Sequence, residues 1–315
     1  MATMKAVRMH GYGGPEVLKY EDAPRPEPAA NEVLVKVHAA GVNPVDWKVR
    51  AGHMRGFLNY SMPLILGWDF SGTVEELGPG AAASGFQAGD EVYARPDIGR
   101  NGAYAECIAV KASEIQRKPK SLDHVRASAI PLAALTAWQA MFDAGQLGAG
   151  QRILIHAAAG GVGTFAVQLA RWKGAYVIGT ASKTNHEFVK ELGADEVVDY
   201  QTTRFEDVVR DVDVVLDTMA GETRDRSWQV LKKGGILVTI LGQPSQDDAT
   251  RHGVRGAGIF VQPNPAQLRE LASLADAGKL RPIIDTVLPL AEAARAHEMN
   301  QTLHTRGKIV LRVVE

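Results

Sequence analysis

Nine consecutive residues carry the clearest chemistry in the chain: His156-Ala157-Ala158-Ala159-Gly160-Gly161-Val162-Gly163-Thr164. They follow a short apolar run, 152–156, and open a helical pattern over 162–172. A turn this poor in side chains lets backbone N–H groups close on an anion, and the helix behind it directs its positive end at the same point. A glycine-rich turn alone means little. Between a strand and a helix it reads as a diphosphate cradle, with Ala159, Gly160, Gly161 and Val162 as the contacting residues and Gly163 allowing close helix–strand packing.

The end of the next strand distinguishes the two nicotinamide dinucleotides. An Asp or Glu about 20 residues beyond the glycines would hold a free ribose 2′-hydroxyl. Here the stretch is Gly179-Thr180-Ala181-Ser182-Lys183-Thr184, without a carboxylate. The hydroxyls of Thr180 and Ser182 and the Lys183 ammonium suit a 2′-phosphate, so NADPH is the expected coenzyme. Tyr200, after the third strand, is a further candidate on the adenine side.

The elements that must position these residues fall into two textures. Up to about residue 121 the chain reads as β-rich: 33–37 alternates in part, and short strands are expected at 64–70, 73–76, 91–94 and 103–110 between turn residues. A helical stretch over 122–142 follows. Strands at 176–180, 197–198, 212–216 and 235–241 then alternate with helices at 185–192 and 223–231, which argues for a parallel sheet covered on both faces. The chain closes with a helix at 265–277, a strand at 283–288, a helix at 291–299 and a last strand at 307–314. The expectation is an α/β protein whose chain leaves a first domain, builds a second and returns.

At 315 residues, two domains are expected. The formal net charge of -1, with its Lys and Arg dispersed, gives no basic block for nucleic acid or an anionic membrane surface. The single cysteine, Cys107, rules out an intrachain disulfide and a cysteine-rich zinc site. It reads as a packed thiol. No apolar run has the length of a membrane span, and the N-terminus lacks a signal-peptide shape. A cytoplasmic home is expected. His156 reads as structural; His297 and His304 read as surface residues.

The Gly160 loop, Gly41-Val42-Asn43-Pro44-Val45-Asp46 and the closing Gly307-Lys308-Ile309-Val310-Leu311 together resemble the medium-chain dehydrogenase/reductase superfamily, in its zinc-free quinone oxidoreductase, or zeta-crystallin-like, branch. The resemblance implies a GroES-like β-rich catalytic domain, discontinuous over 1–122 and 263–315. Between its parts lies a Rossmann domain with a doubly wound parallel sheet, 123–262, and a cleft separates the two domains. Zinc enzymes of the superfamily carry Cys where this chain has Asn43, and His-Glu where it has Trp68-Asp69, so no metal is expected.

Without a Lewis acid, the acceptors that remain feasible turn an incoming hydride into a delocalised phenolate or enolate, as quinones and α,β-unsaturated carbonyls do. An enoyl-thioester or 2-alkenal reductase is one alternative. An NADPH-binding sensor or structural protein without significant turnover is another. The resemblance places Asn43, Asp46 and Tyr60 as catalytic candidates, with Asn43 donating to a substrate oxygen. Lys48, Thr136, Leu241, Gly242, Phe260, Val261 and Lys308 are candidates for coenzyme contact. A small-molecule substrate and a homodimer are expected, the dimer pairing through 236–240 or 259–261 as sheet edges.

Overall fold

In the computed structural model of the protein, residues 2–314 are described. The chain divides into two compact units. One comprises the chain up to Leu132 with Gln262–Gly278 and the segment from Pro282 onward; the other is Ala133–Val261 with Lys279–Arg281.

The first unit is built on the strand Glu32–Val42, whose β-branched and alanine side chains are almost all buried. It pairs antiparallel with Phe70–Leu77, Cys107–Lys111 and Lys308–Arg312. Along this sheet the order is Ile284–Pro289, Lys308–Arg312, Glu32–Val42, Phe70–Leu77, Glu91–Ala94, Ile115–Arg117. The last strand of the chain thus lies beside an early one. A smaller sheet joins Leu18–Pro24, Thr3–Met9 and Leu64–Ile65. The strand expected over 64–70 is therefore two residues here, and Phe70 begins a different one.

The second unit holds six strands, all parallel, in the order Glu196–Asp199, Tyr176–Ala181, Arg152–Ile155, Val212–Asp217, Leu231–Thr239, Arg255–Gly258. Strand order reverses beside Arg152–Ile155, the topological switch point where ligands of open α/β sheets gather. Arg152–Ile155, Tyr176–Ala181 and Val212–Asp217 are buried along nearly their whole length, as cover on both faces requires. Leu154, Ile178, Val215, Trp228 and Leu237 join one buried core.

The helical stretch expected over 122–142 is three pieces: His124–Ser128, Pro131–Trp138 and a wider π-type turn, Gln139–Ala144. Pro131 starts a new helix because it has no N–H to continue the old one. Residues 236–240 are no sheet edge, since Leu231–Thr239 is flanked on both sides, and 259–261 lie outside any strand. The edges are Glu196–Asp199 and Arg255–Gly258. Among the described residues no helix is long and apolar enough to cross a membrane.

Leu237 is fully buried in this core. Leu237→Ala is expected to lower stability by about 2–5 kcal/mol, the usual cost of emptying such a site. Urea denaturation checks this.

Candidate active site

The glycine-rich loop leaves the strand Arg152–Ile155 and enters the helix Gly161–Trp172. Gly160 is the N-cap residue, extended, and no side chain caps the helix. The first amides of a twelve-residue helix are therefore left without a side-chain acceptor. Gly163 is dictated by contact: a Cβ there would lie 2.2 Å from the Ala157 carbonyl oxygen and 2.7 Å from Ala158 Cα. Ala157 itself has φ +49°, a left-handed conformation unusual for a residue with a side chain.

Every candidate in this unit except Thr136 sits in that loop or near the carboxyl end of one of its parallel strands. Ser182 and the exposed Lys183 follow Tyr176–Ala181, and Tyr200 follows Glu196–Asp199, more than half exposed. Leu241 and Gly242 follow Leu231–Thr239; Phe260 and Val261 follow Arg255–Gly258. Thr136 is buried in the helix Pro131–Trp138. Thr180 departs from its expected role as a 2′-phosphate contact. It is buried, and its hydroxyl accepts from the Ala157 N–H at 3.2 Å, so it props the loop from behind. His156 is structural as expected: buried between Thr180 and Ser227, its imidazole is pushed down to about 4 by desolvation.

In the first unit, Asn43 caps the helix Pro44–Arg50 and is 2% exposed. Its backbone N–H donates to Asp46 Oδ2 at 2.7 Å. Its amide Nδ2 donates to Asp69 Oδ2 at 3.1 Å and to the Gly41 carbonyl at 3.5 Å, and its Oδ1 accepts from Lys308 Nζ. With both amide hydrogens engaged, Asn43 has none to offer a substrate oxygen in this arrangement, which corrects its expected donor role. Lys308 is buried and also donates to Asp69 Oδ2 at 3.1 Å and to the Val42 carbonyl at 3.1 Å. Its ammonium serves this cluster rather than reaching toward a phosphate.

Asp46 is wholly buried. Oδ2 accepts from Tyr104 Oη at 2.9 Å, while Oδ1 has no partner. Desolvation pushes its carboxyl up to about 7 against the pull of Asn43, Tyr104 and Lys308, with the Asp69 carboxylate adding to the rise. Tyr60 donates to the Ile98 carbonyl at 2.9 Å and packs 6.2 Å from Trp68, so its proton too is engaged. Lys48 is half-buried with its ammonium 5.7 Å from the Trp47 ring, and desolvation lowers its pKa. His297 is buried, not at the surface. Its Nδ1 lies 3.2 Å from Arg50 Nη1 and its Nε2 3.4 Å from Tyr104 Oη, and burial, then Arg50, push it down to about 3. His304 is exposed as expected, and Cys107 is a buried thiol.

These donors do not suit zinc. Trp68 gives no ligand, its indole N–H donating to the Arg100 carbonyl at 2.9 Å, and Asn43 and Asp69 are bound to an ammonium. Among the described residues no three His, Cys, Asp or Glu side chains gather as a metal would need.

A β-rich unit carrying a buried charged cluster and a parallel-sheet unit carrying a phosphate-type loop define a two-part oxidoreductase of the alcohol dehydrogenase type. The family of alcohol dehydrogenase GroES-like domains matches residues 29–120, and the zinc-binding dehydrogenase family matches 192–311. A mouse protein, "NAD(P)H oxidoreductase RTN4IP1, mitochondrial", is 37% identical over 90% of this chain and 82% of its own. An Arabidopsis thaliana protein, "Chloroplast envelope quinone oxidoreductase homolog", is 33% identical over 98% of each. The solved quinone oxidoreductase of Coxiella burnetii superposes with a TM-score of 0.91 at 37% identity, over 99% of this chain and 100% of that one. A mycobacterial protein, Rv1454c, solved in complex with NADPH, gives 0.89 at 29% identity, over 98% and 100%. The chain belongs to the medium-chain dehydrogenase/reductase superfamily, in its quinone oxidoreductase branch, with a GroES-like and a Rossmann part. It is an enzyme, an oxidoreductase. The expectation of a cytoplasmic home is overturned: the mouse relative is named mitochondrial and the plant relative a chloroplast envelope protein, which points away from the cytoplasm.

The raised Asp46 pKa makes a signed prediction. The folded state keeps this proton above the carboxyl's ordinary 3.8, so the stability it contributes is present at low pH and is lost as pH rises to about 7. The stability of Asp46→Asn relative to the parent should therefore improve between pH 4 and 7 and level off above. A difference that stays flat across that window in denaturant titrations would mean the carboxylate is ionised throughout.

Proposed function

We propose that the chain binds NADPH on the Gly160 loop and passes its hydride to a quinone or an α,β-unsaturated carbonyl compound. One observation carries the reading. An uncapped helix N-terminus stands behind a side-chain-free turn at the sheet's switch point, and the neighbouring strand end offers Ser182 and Lys183 with no carboxylate. The NADPH-complexed mycobacterial neighbour and the quinone oxidoreductase relatives support it.

The residues present fit the coenzyme. Ala159, Gly161 and Val162 would take the diphosphate through backbone amides; the Gly160 N–H instead closes the turn onto the Ala157 carbonyl at 2.9 Å, and Gly163 keeps that turn tight. Lys183, with the Ser182 hydroxyl beside it, would pair with the 2′-phosphate, and Tyr200 would flank the adenosine side. Thr136, Leu241, Gly242, Phe260 and Val261 would line the nicotinamide end. When bound, the coenzyme supplies the hydride; the protein's work is to orient it and keep water away.

Acceptor choice follows from charge. The Asn43–Asp69–Lys308 cluster leaves no ligands open for a Lewis acid. Hydride transfer then favours acceptors that spread the resulting negative charge over their own π-system, with protons coming from water.

Lys183→Ala should raise the KM for NADPH about tenfold or more and leave that for NADH nearly unchanged, as loss of a charge-assisted phosphate contact does. Equal responses would remove the 2′-phosphate assignment. Oxidation of NADPH, followed by absorbance across quinones and enals, should depend on the acceptor and survive a chelator. Tight binding without acceptor-dependent oxidation would favour a non-catalytic role, and activity lost to the chelator and restored by zinc would overturn the metal-free reading.

A further inference from the structure

Behind the glycine-rich loop runs a chain of hydrogen bonds whose direction can be deduced. Ser227 Oγ donates its one hydrogen to the Thr223 carbonyl at 2.6 Å. It also lies 2.9 Å from His156 Nε2, so there it must accept, and His156 carries its hydrogen on Nε2. Nδ1 is then a bare acceptor. Thr180 Oγ1, 3.2 Å away, donates to it, which leaves the threonine oxygen to accept from the Ala157 N–H at 3.2 Å. The relay runs from Ala157 through Thr180, His156 and Ser227 to Thr223. Each member has one role, and Thr180, His156 and Ser227 are all buried.

The start of the relay matters for binding. Ala157 holds the left-handed φ of +49° that turns the chain out of the strand, and its carbonyl accepts from Gly160 N–H at 2.9 Å. The amide that Thr180 holds therefore belongs to the residue setting the loop's path. Resting on the proposed coenzyme site, we infer that Thr180 and His156 are positioning residues for the coenzyme diphosphate: a neutral, single-tautomer histidine fixes the threonine hydroxyl, and the hydroxyl fixes the loop. A histidine gaining a proton on Nδ1 would turn a donor against the threonine's own; burial, which holds this imidazole neutral to about pH 4, prevents that.

The test pairs Thr180→Val, which keeps the shape and removes both hydrogen bonds, with Thr180→Ser, which restores the hydroxyl. Calorimetric titration of each variant with NADPH and with NADH is the readout. Thr180→Val should weaken both coenzymes by a similar factor, about tenfold, because the diphosphate is common to both and the partly buried Ala157 N–H that sets the loop's path loses its acceptor. Thr180→Ser should bind close to the parent. Unchanged affinity in Thr180→Val, or no recovery in Thr180→Ser, overturns the inference. A parent protein that binds neither coenzyme defeats the underlying site instead. If Thr180→Val does not fold, nitrogen NMR of the histidines in the unaltered protein decides: His156 protonated on Nε2 with Nδ1 bare supports the relay, and the opposite tautomer contradicts it.

Discussion

The second unit depends on one close approach. The helix Gly161–Trp172 begins where the backbone of Gly163 lies against Ala157 and Ala158, nearer than any Cβ would permit. That contact sets the distance from helix to sheet and so determines where the helix's first amides stand. The same turn needs Ala157 in a left-handed conformation, which costs on the order of 1 kcal/mol for a non-glycine residue and must be offset by its surroundings. Hydrogen bonds from the strand Tyr176–Ala181 supply this: the Thr180 hydroxyl takes the Ala157 N–H, and the Thr180 carbonyl takes the Ala158 N–H at 2.9 Å. The loop's shape is thus a property of two adjacent strands.

The first unit answers a different problem, that of burying charge. Asp46, Asp69 and Lys308 lie together out of water, two acids to one base. Lys308 pairs directly with Asp69. For Asp46, burial outweighs its backbone and phenol donors, so it holds its proton to about neutral pH. Replacing ligand-type side chains by Asn43 and Trp68 does not empty this region. It converts it into a buried polar cluster with a lysine ammonium as the cation and Asp46 Oδ1 left without a partner.

Much of this was legible in the chain. The glycine-rich turn, the apolar strands and the missing carboxylate after Tyr176–Ala181 are local signals, readable because neighbours in sequence are neighbours in space. What failed was non-local. Arg255–Gly258 has no apolar run and is a strand only because Leu231–Thr239 offers it a partner. His297 reads as a surface residue in sequence because nothing nearby announces Arg50 and Tyr104 as its companions. Position in the sequence alone points Lys308 and Thr180 at a coenzyme. Their real partners, Asp69 for one and Ala157 with His156 for the other, decide instead what their polar atoms can reach. The full engagement of Asn43 is likewise invisible without the fold.

A crystal structure of the protein with NADPH tests the central claim most directly. The account places the diphosphate oxygens within hydrogen-bonding distance of the backbone amides at Gly161 and Val162, with the 2′-phosphate against Lys183. A diphosphate held elsewhere, with that turn empty, would contradict it.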